Sequence, residues 1–215
     1  MYLCHSHFSL RYGTLSVERL VEAAAAAGCT RLALTDINAV SEVFDFISAC
    51  HKAGMAPVVG VDFRNGTERA YVGLARNSLG FAELNAFLSE HLLGGKSFPP
   101  RAPRFDHAVV IYPLRALERE FQPADGEFVG VCWEDVTALW RWRSRLSVHR
   151  AVALLPVTFA DKVTFNLHRL LRALDANCLQ SNLDPARQAP PTERFHERQA
   201  LLDRFGNHPH LLGNL

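Results

Sequence analysis

Apolar residues along this chain follow two alternating patterns, short continuous runs and longer stretches with apolar positions three or four residues apart. Short runs bounded by turn residues are typical of buried strands, and the wider spacing is typical of helices packed on one face. The runs predict strands at residues 2–4, 31–35, 55–63, 70–75, 107–112, 127–132 and 151–155. The periodic stretches predict helices at residues 16–28, 41–54, 134–146, 161–179 and 193–205, and another that begins near residue 78.

Boundary signals support several of these elements. Ser16 and Asp161 can each accept hydrogen bonds from the first N–H groups of a helix, and Asn65-Gly66 predicts a tight hairpin turn. In the stretch 161–179 we expect the apolar stripe to face the core; its members are Phe165, Leu167, Leu170, Leu171 and Leu174.

Alternating strands and helices predict right-handed βα units around a mainly parallel sheet. The periodicity leaves open both a barrel and an open doubly wound sheet. No glycine-rich phosphate-binding motif follows the first strand, which disfavours a nucleotide-binding Rossmann fold.

Composition and charge narrow the class of protein. A chain of 215 residues with 48% hydrophobic and 21% charged residues is typical of one globular domain, alone or with a short appendage. The net charge of +1 supplies no overall basic field for nucleic acid. Five dispersed cysteines without a CxxC pair indicate reduced thiols in a cytoplasmic protein, and no segment predicts a membrane span.

His5 and His7 follow the first predicted strand and are the clearest candidates for metal chemistry. Two histidines spaced by one residue on a strand point to the same face, so both could reach one metal ion. Asp36 and Asp62 end or follow later strands and could add carboxylate oxygens. The alternative for His5 is a hydrogen-bonded histidine at a strand end, and for Asp36 a structural acceptor for the turn at Asn38.

Four segments in order carry a resemblance to a known family. They are HSHFSLRYG, RLALTDINAV, AGMAPVVGVDF and ARNSLGF, within residues 5–81. Together they resemble the amino-terminal PHP (polymerase and histidinol phosphatase) domain of bacterial DNA polymerase III alpha subunits. The segment 156–183 is similar to the form seen in Bacteroidetes-type subunits. The resemblance implies an α/β fold, a distorted seven-stranded βα barrel, over residues 1–180. Residues 181–215 would form a linker and helix leading toward a polymerase core absent from this chain.

The resemblance also implies where metal ligands would lie. Active members hold two or three metal ions at the carboxyl ends of the strands, with His, Asp and Glu as ligands. When the chain is aligned on Phe8-Ser9, His5 and Asp62 fall on ligand positions, and His7 does not. Four further ligand positions carry side chains unsuited to coordination; they are Leu3, Tyr12, Ile37 and Ala70. We therefore expect no metal cluster and no catalytic residue, with His5, His7, Asp36 and Asp62 as vestigial candidates.

The segment WRWRSR at residues 140–145 interleaves aromatic and basic residues, as single-strand binders do. Its candidate contacts are Arg141, Trp142, Arg143 and Arg145. The alternative is an amphipathic helix with Trp140 in the core and the arginines in water. Arg11 and Arg64 could pair with carboxylates of an adjoining domain.

The resemblance implies that the parent protein is a Mg²⁺-dependent DNA-directed DNA polymerase in the cytoplasm, with this domain as a scaffold that needs no cofactor. Expected partners are the remaining domains of the alpha subunit, and DNA through the full-length protein. The resemblance adds a proofreading exonuclease as a further partner. Two alternatives stay open. One is an active metal-dependent phosphoesterase or 3′–5′ exonuclease with Zn or Mn, and the other is a single-stranded DNA-binding module.

Overall fold

The computed structural model describes residues 1–118, 120–142 and 147–213, and in them one sheet of eight strands forms the centre of the fold. The strands are β1 (Tyr2–Cys4), β2 (Arg31–Ile37), β3 (Ala56–Asn65), β4 (Glu68–Ala75), β5 (Ala108–Pro113), β6 (Glu127–Val131), β7 (Ala151–Ala153) and β8 (Leu155–Val157). Their order is β7-β6-β5-β4-β3-β2-β1-β8. Among the described pairs, β4 runs antiparallel to both of its neighbours and the other pairs are parallel.

The two edges of the sheet belong to one extended segment. β7 pairs with β6, and β8 pairs with β1, although only Leu154 separates β7 from β8. Residues 151–157 therefore bring the two edges together as a barrel. This confirms the predicted barrel, and the strand count is eight because the seventh strand is divided at Leu154.

Helices cover the outside of the barrel. They are α1 (Val17–Ala26), α2 (Val43–Lys52), α3 (Ser78–Gly94), α4 (Lys162–Asp175), α5 (Arg198–Phe205) and α6 (His210–Gly213). Ser16 accepts from the Arg19 N–H and Asp161 from the Thr164 N–H, as predicted for the two helix starts. The predicted hairpin is also present, because β3 ends at Asn65 and Gly66 takes a positive φ of 63°.

Two apolar layers hold the barrel together. Inside it, alternate strand residues form a cluster; its buried members are Leu3, Ala33, Val72, Leu74, Ile111, Val152 and Leu154. Outside it, the buried faces of α1 and α2 pack on the sheet through residues such as Leu20 and Phe46. The polar residues at the ends of the strands lie outside these apolar layers and form the mouth of the barrel.

The prediction that the apolar stripe of α4 faces the core is wrong for three of its five members, whereas Phe165 and Leu171 are half-buried. Leu167, Leu170 and Leu174 are 42%, 47% and 65% exposed. The inner face instead carries His168 and Arg172, which are buried and hydrogen-bonded to backbone carbonyls of other segments. Those polar contacts determine which face of α4 meets the barrel.

Two other predicted helices differ from the structure. Residues Trp133–Trp142 form a 3-10 helix, and residues 143–146 of the predicted helix lie outside the described residues. The last long helix begins at Arg198 rather than at residue 193. The reason is that Thr158 N donates to Glu193 O at 2.9 Å, which holds residue 193 against the strand end.

The segment after residue 180 packs on the barrel. Phe205 and Leu211 are 0% and 1% exposed within the main core, and the ring of Phe195 lies 4.9 Å from that of Tyr2. The division of the chain at residue 180 stays a prediction. All five cysteines lie in the described residues and none forms a disulfide. Among the described residues, no helix combines the length and apolar character needed to span a bilayer.

Candidate functional site

A cluster of polar side chains lies at the mouth of the barrel, where β1, β3 and β8 end and β4 begins. We call it the mouth cluster; its members are His5, Tyr12, Asp62, Arg64, Arg69, Thr158 and Glu193. Arg69 has the most exposed side chain of these, at 13%. A buried set of this many ionisable groups must be internally paired, because an isolated buried charge is costly.

Asp62 is the centre of the cluster, and one of its oxygens receives nearly all the contacts. Oδ2 accepts from Arg64 Nε and Nη2 at 3.1 and 2.8 Å and from Arg69 Nε at 2.9 Å. His5 Nε2 lies 3.0 Å from the same oxygen. Oδ1 is buried and has no hydrogen-bond partner among the described residues. Burial acts to raise the pKa of Asp62, but Arg64, Arg69 and His5 outweigh it and hold that pKa well below its ordinary value.

The hairpin geometry explains why two arginines meet this carboxylate. Arg64 and Arg69 are direct partners across the β3–β4 hairpin, next to a register shift between Phe63 and Arg64. Like charges opposite each other destabilise a sheet. Here the carboxylate of Asp62 lies between them, so the three groups form one ion-paired unit.

A chain of hydrogen bonds leads from Asp62 to Glu193. His5 Nδ1 lies 2.9 Å from Thr158 Oγ1, and that hydroxyl donates to Glu193 Oε2. Arg69 Nη2 lies 4.0 Å from the other oxygen of Glu193. Both ring nitrogens of His5 are therefore occupied by partners from its own chain.

Tyr12 covers the cluster with its ring. The guanidinium carbon of Arg64 lies 4.5 Å from the ring centroid and that of Arg172 lies 5.5 Å away, both within the range of cation–π attraction. Burial, followed by the charge of Glu193, raises the pKa of the Tyr12 hydroxyl. The phenol therefore stays protonated and can donate a hydrogen bond.

Asp36 lies outside the mouth cluster, and its hydrogen bonds have a structural role. Its carboxylate accepts from Ser6 N at 2.6 Å, Ser6 Oγ at 2.7 Å and Ser9 Oγ at 2.6 Å. The sequence predicted that the turn at Asn38 would donate hydrogen bonds to Asp36, and these donors are not observed. The side-chain amide of Asn38 is hydrogen-bonded to the backbone of Arg64 instead. Asp36 thus fixes the loop that follows β1.

His7 does not share a site with His5. β1 ends at Cys4, and Ser6 forms a bridge with Leu15, so the two histidines are not on one regular strand. His5 is 0% exposed, whereas the His7 side chain is exposed and its Nδ1 lies 3.3 Å from Leu15 O.

The residues at the mouth do not fit the metal cluster that the resemblance implies for active members. In the described part of the chain, no three His, Cys, Asp or Glu side chains are grouped so as to hold a metal ion. The two residues on ligand positions, His5 and Asp62, bond to each other, and guanidiniums cover the remaining face of Oδ2. A divalent cation there would meet two fixed positive charges.

The sequence left open a pairing of Arg64 with carboxylates of an adjoining domain, but its side chain is 6% exposed and paired with Asp62 of its own strand. Arg11 forms an exposed pair with Asp175 at 3.1 Å. Sequence reasoning missed Arg69, Thr158 and Glu193. Arg69 could have been identified from the Asn65-Gly66 turn, because the register of the hairpin places Arg69 opposite Arg64.

The aromatic and basic segment is only partly described. Trp142 packs against the main core, and Arg141 lies with its guanidinium carbon 5.5 Å from the ring of Trp140. Trp140 is 63% exposed, so its expected place in the core is wrong. The candidates Arg143 and Arg145 lie outside the described residues.

Comparison with known proteins identifies the family of the barrel. The family model of the PHP domain matches residues 2–122. The chain belongs to the PHP domain family. The expected likeness to the PHP domains of DNA polymerase III alpha subunits is therefore confirmed at the level of the family and its named relatives, while the Bacteroidetes-type form stays a prediction.

Relatives that match this PHP domain are alpha subunits of DNA polymerase III. That of Vibrio cholerae is 30% identical over 193 residues, which are 86% of this chain and 16% of that protein. That of Halalkalibacterium halodurans is 28% identical over 138 residues, 61% of this chain and 12% of that protein. The chain thus spans less than a fifth of the length of these relatives. Among solved structures, an amidohydrolase from Chromobacterium violaceum has a TM-score of 0.36 at 27% identity, covering 44% of this chain and 33% of that chain.

Proposed function

We propose that this chain is the PHP domain of a DNA polymerase III alpha subunit and that the domain is a structural block without hydrolytic activity. The observation that carries the proposal is the pair of guanidiniums on Asp62, at 2.8 and 2.9 Å. They supply the positive charge that a carboxylate at a metal site would receive from cations. In this proposal the mouth cluster holds no metal and no catalytic residue.

The proposed context is the complete polymerase. The subunit would extend a primer from deoxynucleoside triphosphates with Mg²⁺ in the cytoplasm, using carboxylates that lie outside this chain. Its remaining domains would be the main partners of this domain, and DNA would be reached through them. The family resemblance adds a proofreading exonuclease as a further proposed partner.

The outward face of α4 supports a docking role. Val163, Leu167, Leu170 and Leu174 recur on one side of the helix and are 42–75% exposed. Contiguous exposed apolar surface usually marks a contact with another protein surface. In the proposal this face packs against the remaining domains of the alpha subunit.

Co-expression tests the scaffold role. The chain and the remaining alpha-subunit domains from the same genome are produced as two polypeptides and separated by size-exclusion chromatography. We expect co-elution, its loss in Leu170→Asp, and its retention in Leu93→Asp, whose residue is 90% exposed on α3. The docking role would be contradicted if both variants co-eluted equally with the remaining domains. It would also be contradicted if the original chain did not co-elute with them.

A hydrolysis assay tests the absence of enzymatic activity. The chain is incubated with bis-p-nitrophenyl phosphate and with single-stranded DNA in Mn²⁺ or Zn²⁺. Activity that is lost in both His5→Ala and Asp62→Ala would favour the active metal-dependent phosphoesterase or 3′–5′ exonuclease over the scaffold.

A second candidate function, contact with single-stranded DNA, is favoured by the exposure of Trp140 and the nearby guanidinium of Arg141. Fluorescence anisotropy with labelled oligothymidylate at two salt concentrations tests it. Salt-sensitive binding that is removed by Trp140→Ala and kept in Trp142→Phe would support this function, because Trp142 packs against the core. Binding that is unaffected by Trp140→Ala would exclude stacking at this site.

A further inference from the structure

A groove of about 500 Å³ lies on the outside of the barrel, beside the β3–β4 hairpin, and we call it the outer groove. Three segments line it, residues 65–70 of the hairpin, residues 98–101 of the loop after α3, and residues 112–121 from the end of β5 onward. Its aromatic residues pack with the apolar cluster between the hairpin and α3, which is separate from the cluster inside the barrel. Of the mouth cluster, Arg69 alone lines the outer groove.

Aromatic rings form a fixed wall of the outer groove. Phe98 and Tyr112 are 5% and 1% exposed, and the ring centroid of Phe121 lies 4.9 Å from that of Tyr112. The side-chain amide of Asn65 donates to Phe98 O and accepts from Phe98 N, both at 2.9 Å, and the hydroxyl of Tyr112 accepts from Ala102 N at 3.1 Å. The wall is therefore formed before a partner arrives, which reduces the cost of ordering it on binding.

Both arginines of the outer groove are already paired. Arg69 Nε donates to Asp62 at 2.9 Å, and Arg101 Nε donates to Glu127 at 3.0 Å. The guanidinium carbon of Arg101 also lies 5.2 Å from the ring centroid of Phe121. Because each positive charge has a carboxylate of its own, the outer groove offers little attraction to an anion.

Three carboxylates at the rim lack such a partner. The side chains of Glu68, Glu118 and Glu120 are exposed, and within the described part of the chain none of them forms a hydrogen bond or an ion pair. Arg119 lies outside the described residues and is not counted. The described lining thus carries three unpaired negative charges next to an apolar wall, which is complementary to a partner that is both cationic and apolar.

We propose that the outer groove binds a segment of a partner protein in which aromatic side chains are flanked by basic ones. An aromatic side chain packs against the wall of Phe98 and Phe121, and basic side chains pair with the rim carboxylates. A peptide segment supplies several cations on one chain, as three carboxylates require. The volume lies within the range of roughly 300–1,000 Å³ that is typical of ligand pockets, so the outer groove has room to enclose a side chain.

This surface is distinct from the outward face of α4, because no residue of α4 lines the outer groove. The inference therefore adds a second interaction surface to the domain, and it does not depend on the docking role of α4. Each of the two surfaces can be tested without the other.

Isothermal titration calorimetry with the full chain tests the proposal. The probe is the peptide acetyl-SRWRWRS-amide, and acetyl-SRSRSRS-amide is a control of equal charge without aromatic rings. Both are titrated into the original chain and into the double variant Glu118→Gln/Glu120→Gln. The matched control is Glu22→Gln/Glu90→Gln, which removes the same charge from side chains that are 67% and 66% exposed on α1 and α3. Circular dichroism checks that both double variants are folded.

We expect saturable binding of the aromatic peptide and an affinity about 5-fold lower in Glu118→Gln/Glu120→Gln, since two exposed ion pairs are lost. Glu22→Gln/Glu90→Gln should bind as the original chain does. The serine peptide should bind at least about 10-fold more weakly than the aromatic peptide, because it buries no ring against the wall.

Three results would overturn the proposal. They are absence of saturable binding of the aromatic peptide, equal affinity in the two double variants, and equal affinity of the two peptides. Sedimentation velocity of the chain without peptide tests a different occupant. Self-association that is lost in Glu118→Gln/Glu120→Gln would assign the outer groove to a second copy of this chain and would overturn the assignment to a partner protein.

Discussion

Arg64 donates two hydrogen bonds, from Nε and Nη2, to a single oxygen of Asp62 that lies two residues before it on the same strand. Residues two apart on a strand share a face, so this pairing is a local property of β3. Arg69 reaches the same oxygen from the partner strand of the hairpin. The charge of Asp62 is thus compensated within seven residues of sequence, without a contribution from outside the chain.

Asp62→Asn should destabilise the fold strongly. The variant leaves two buried guanidiniums without their carboxylate, and breaking a buried ion pair by removing one partner costs about 3–5 kcal/mol. Urea unfolding followed by circular dichroism measures the change. Asp45→Asn, at an exposed position on α2, is the control and should stay within about 0.5 kcal/mol of the original chain. Equal stability of both variants would show that Asp62 is not an essential partner of the arginines.

The same carboxylate predicts a response to acid. Because the pKa of Asp62 is lowered in the folded state, its stabilising contribution is present above the ordinary aspartate pKa of about 3.9 and is lost as the pH falls toward the folded value. The difference in unfolding free energy between the original chain and Asp62→Asn should therefore shrink below about pH 4. A difference that stays constant down to the acid transition would contradict this origin of the stability.

Thr158→Val tests the link between His5 and Glu193. The valine keeps the shape of the side chain but leaves both neighbours without the hydroxyl at 2.9 Å from His5 and bonded to Glu193. An unsatisfied buried polar group costs about 1–3 kcal/mol, and we expect a loss of unfolding free energy in that range. Thr158→Ser keeps the hydroxyl and should lose less. If the two variants were equally stable, the hydroxyl would contribute nothing measurable.

His168 predicts a second pH dependence, near neutrality. Its Nδ1 lies 2.7 Å from Tyr12 O, and its Nε2 accepts from Ala189 N at 2.8 Å, so the ring must be neutral to satisfy both neighbours. Burial lowers the pKa of His168 despite the hydrogen bond to Tyr12 O, which acts in the opposite direction. Its contribution is fully present above the unfolded histidine pKa of about 6.5 and declines as the pH falls below it.

Unfolding free energies between pH 8 and pH 5 measure that decline. His168→Gln should show a shallower fall than the original chain, whereas His51→Gln, at an exposed position, should show the original slope. Parallel curves for all three proteins would assign the pH dependence to other groups, such as His196, whose pKa burial also lowers.

The sequence predicted the strands and most helices because strand runs and helix caps are local signals, whereas the barrel was implied by the family resemblance. Ser16, Asp161 and the Asn65-Gly66 turn all act within four residues, and each has its predicted role. The orientation of α4 could not be read in the same way. Its leucines form the more apolar face, and the contacts of His168 and Arg172 that turn this face outward join residues far apart in sequence.

The mouth cluster shows the same limit. Alignment with the family predicted that most ligand positions carry unsuitable side chains, and it placed His5 and Asp62 on ligand positions; in the structure these two side chains contact each other. It did not reveal the compensating charge, because Arg69 and Glu193 come from a hairpin strand and from a distant segment that was interpreted as linker and helix. Complementary charges in a folded pocket are a property of tertiary structure.

The metal content of the purified chain tests the central claim most directly. The chain is purified without chelator, incubated with Zn²⁺ or Mn²⁺, desalted and analysed by inductively coupled plasma mass spectrometry. If guanidiniums occupy the place of the cations, the content should stay far below one metal ion per chain and should be the same in His5→Ala. Two or more metal ions per chain, lost in both His5→Ala and Asp62→Ala, would contradict the account.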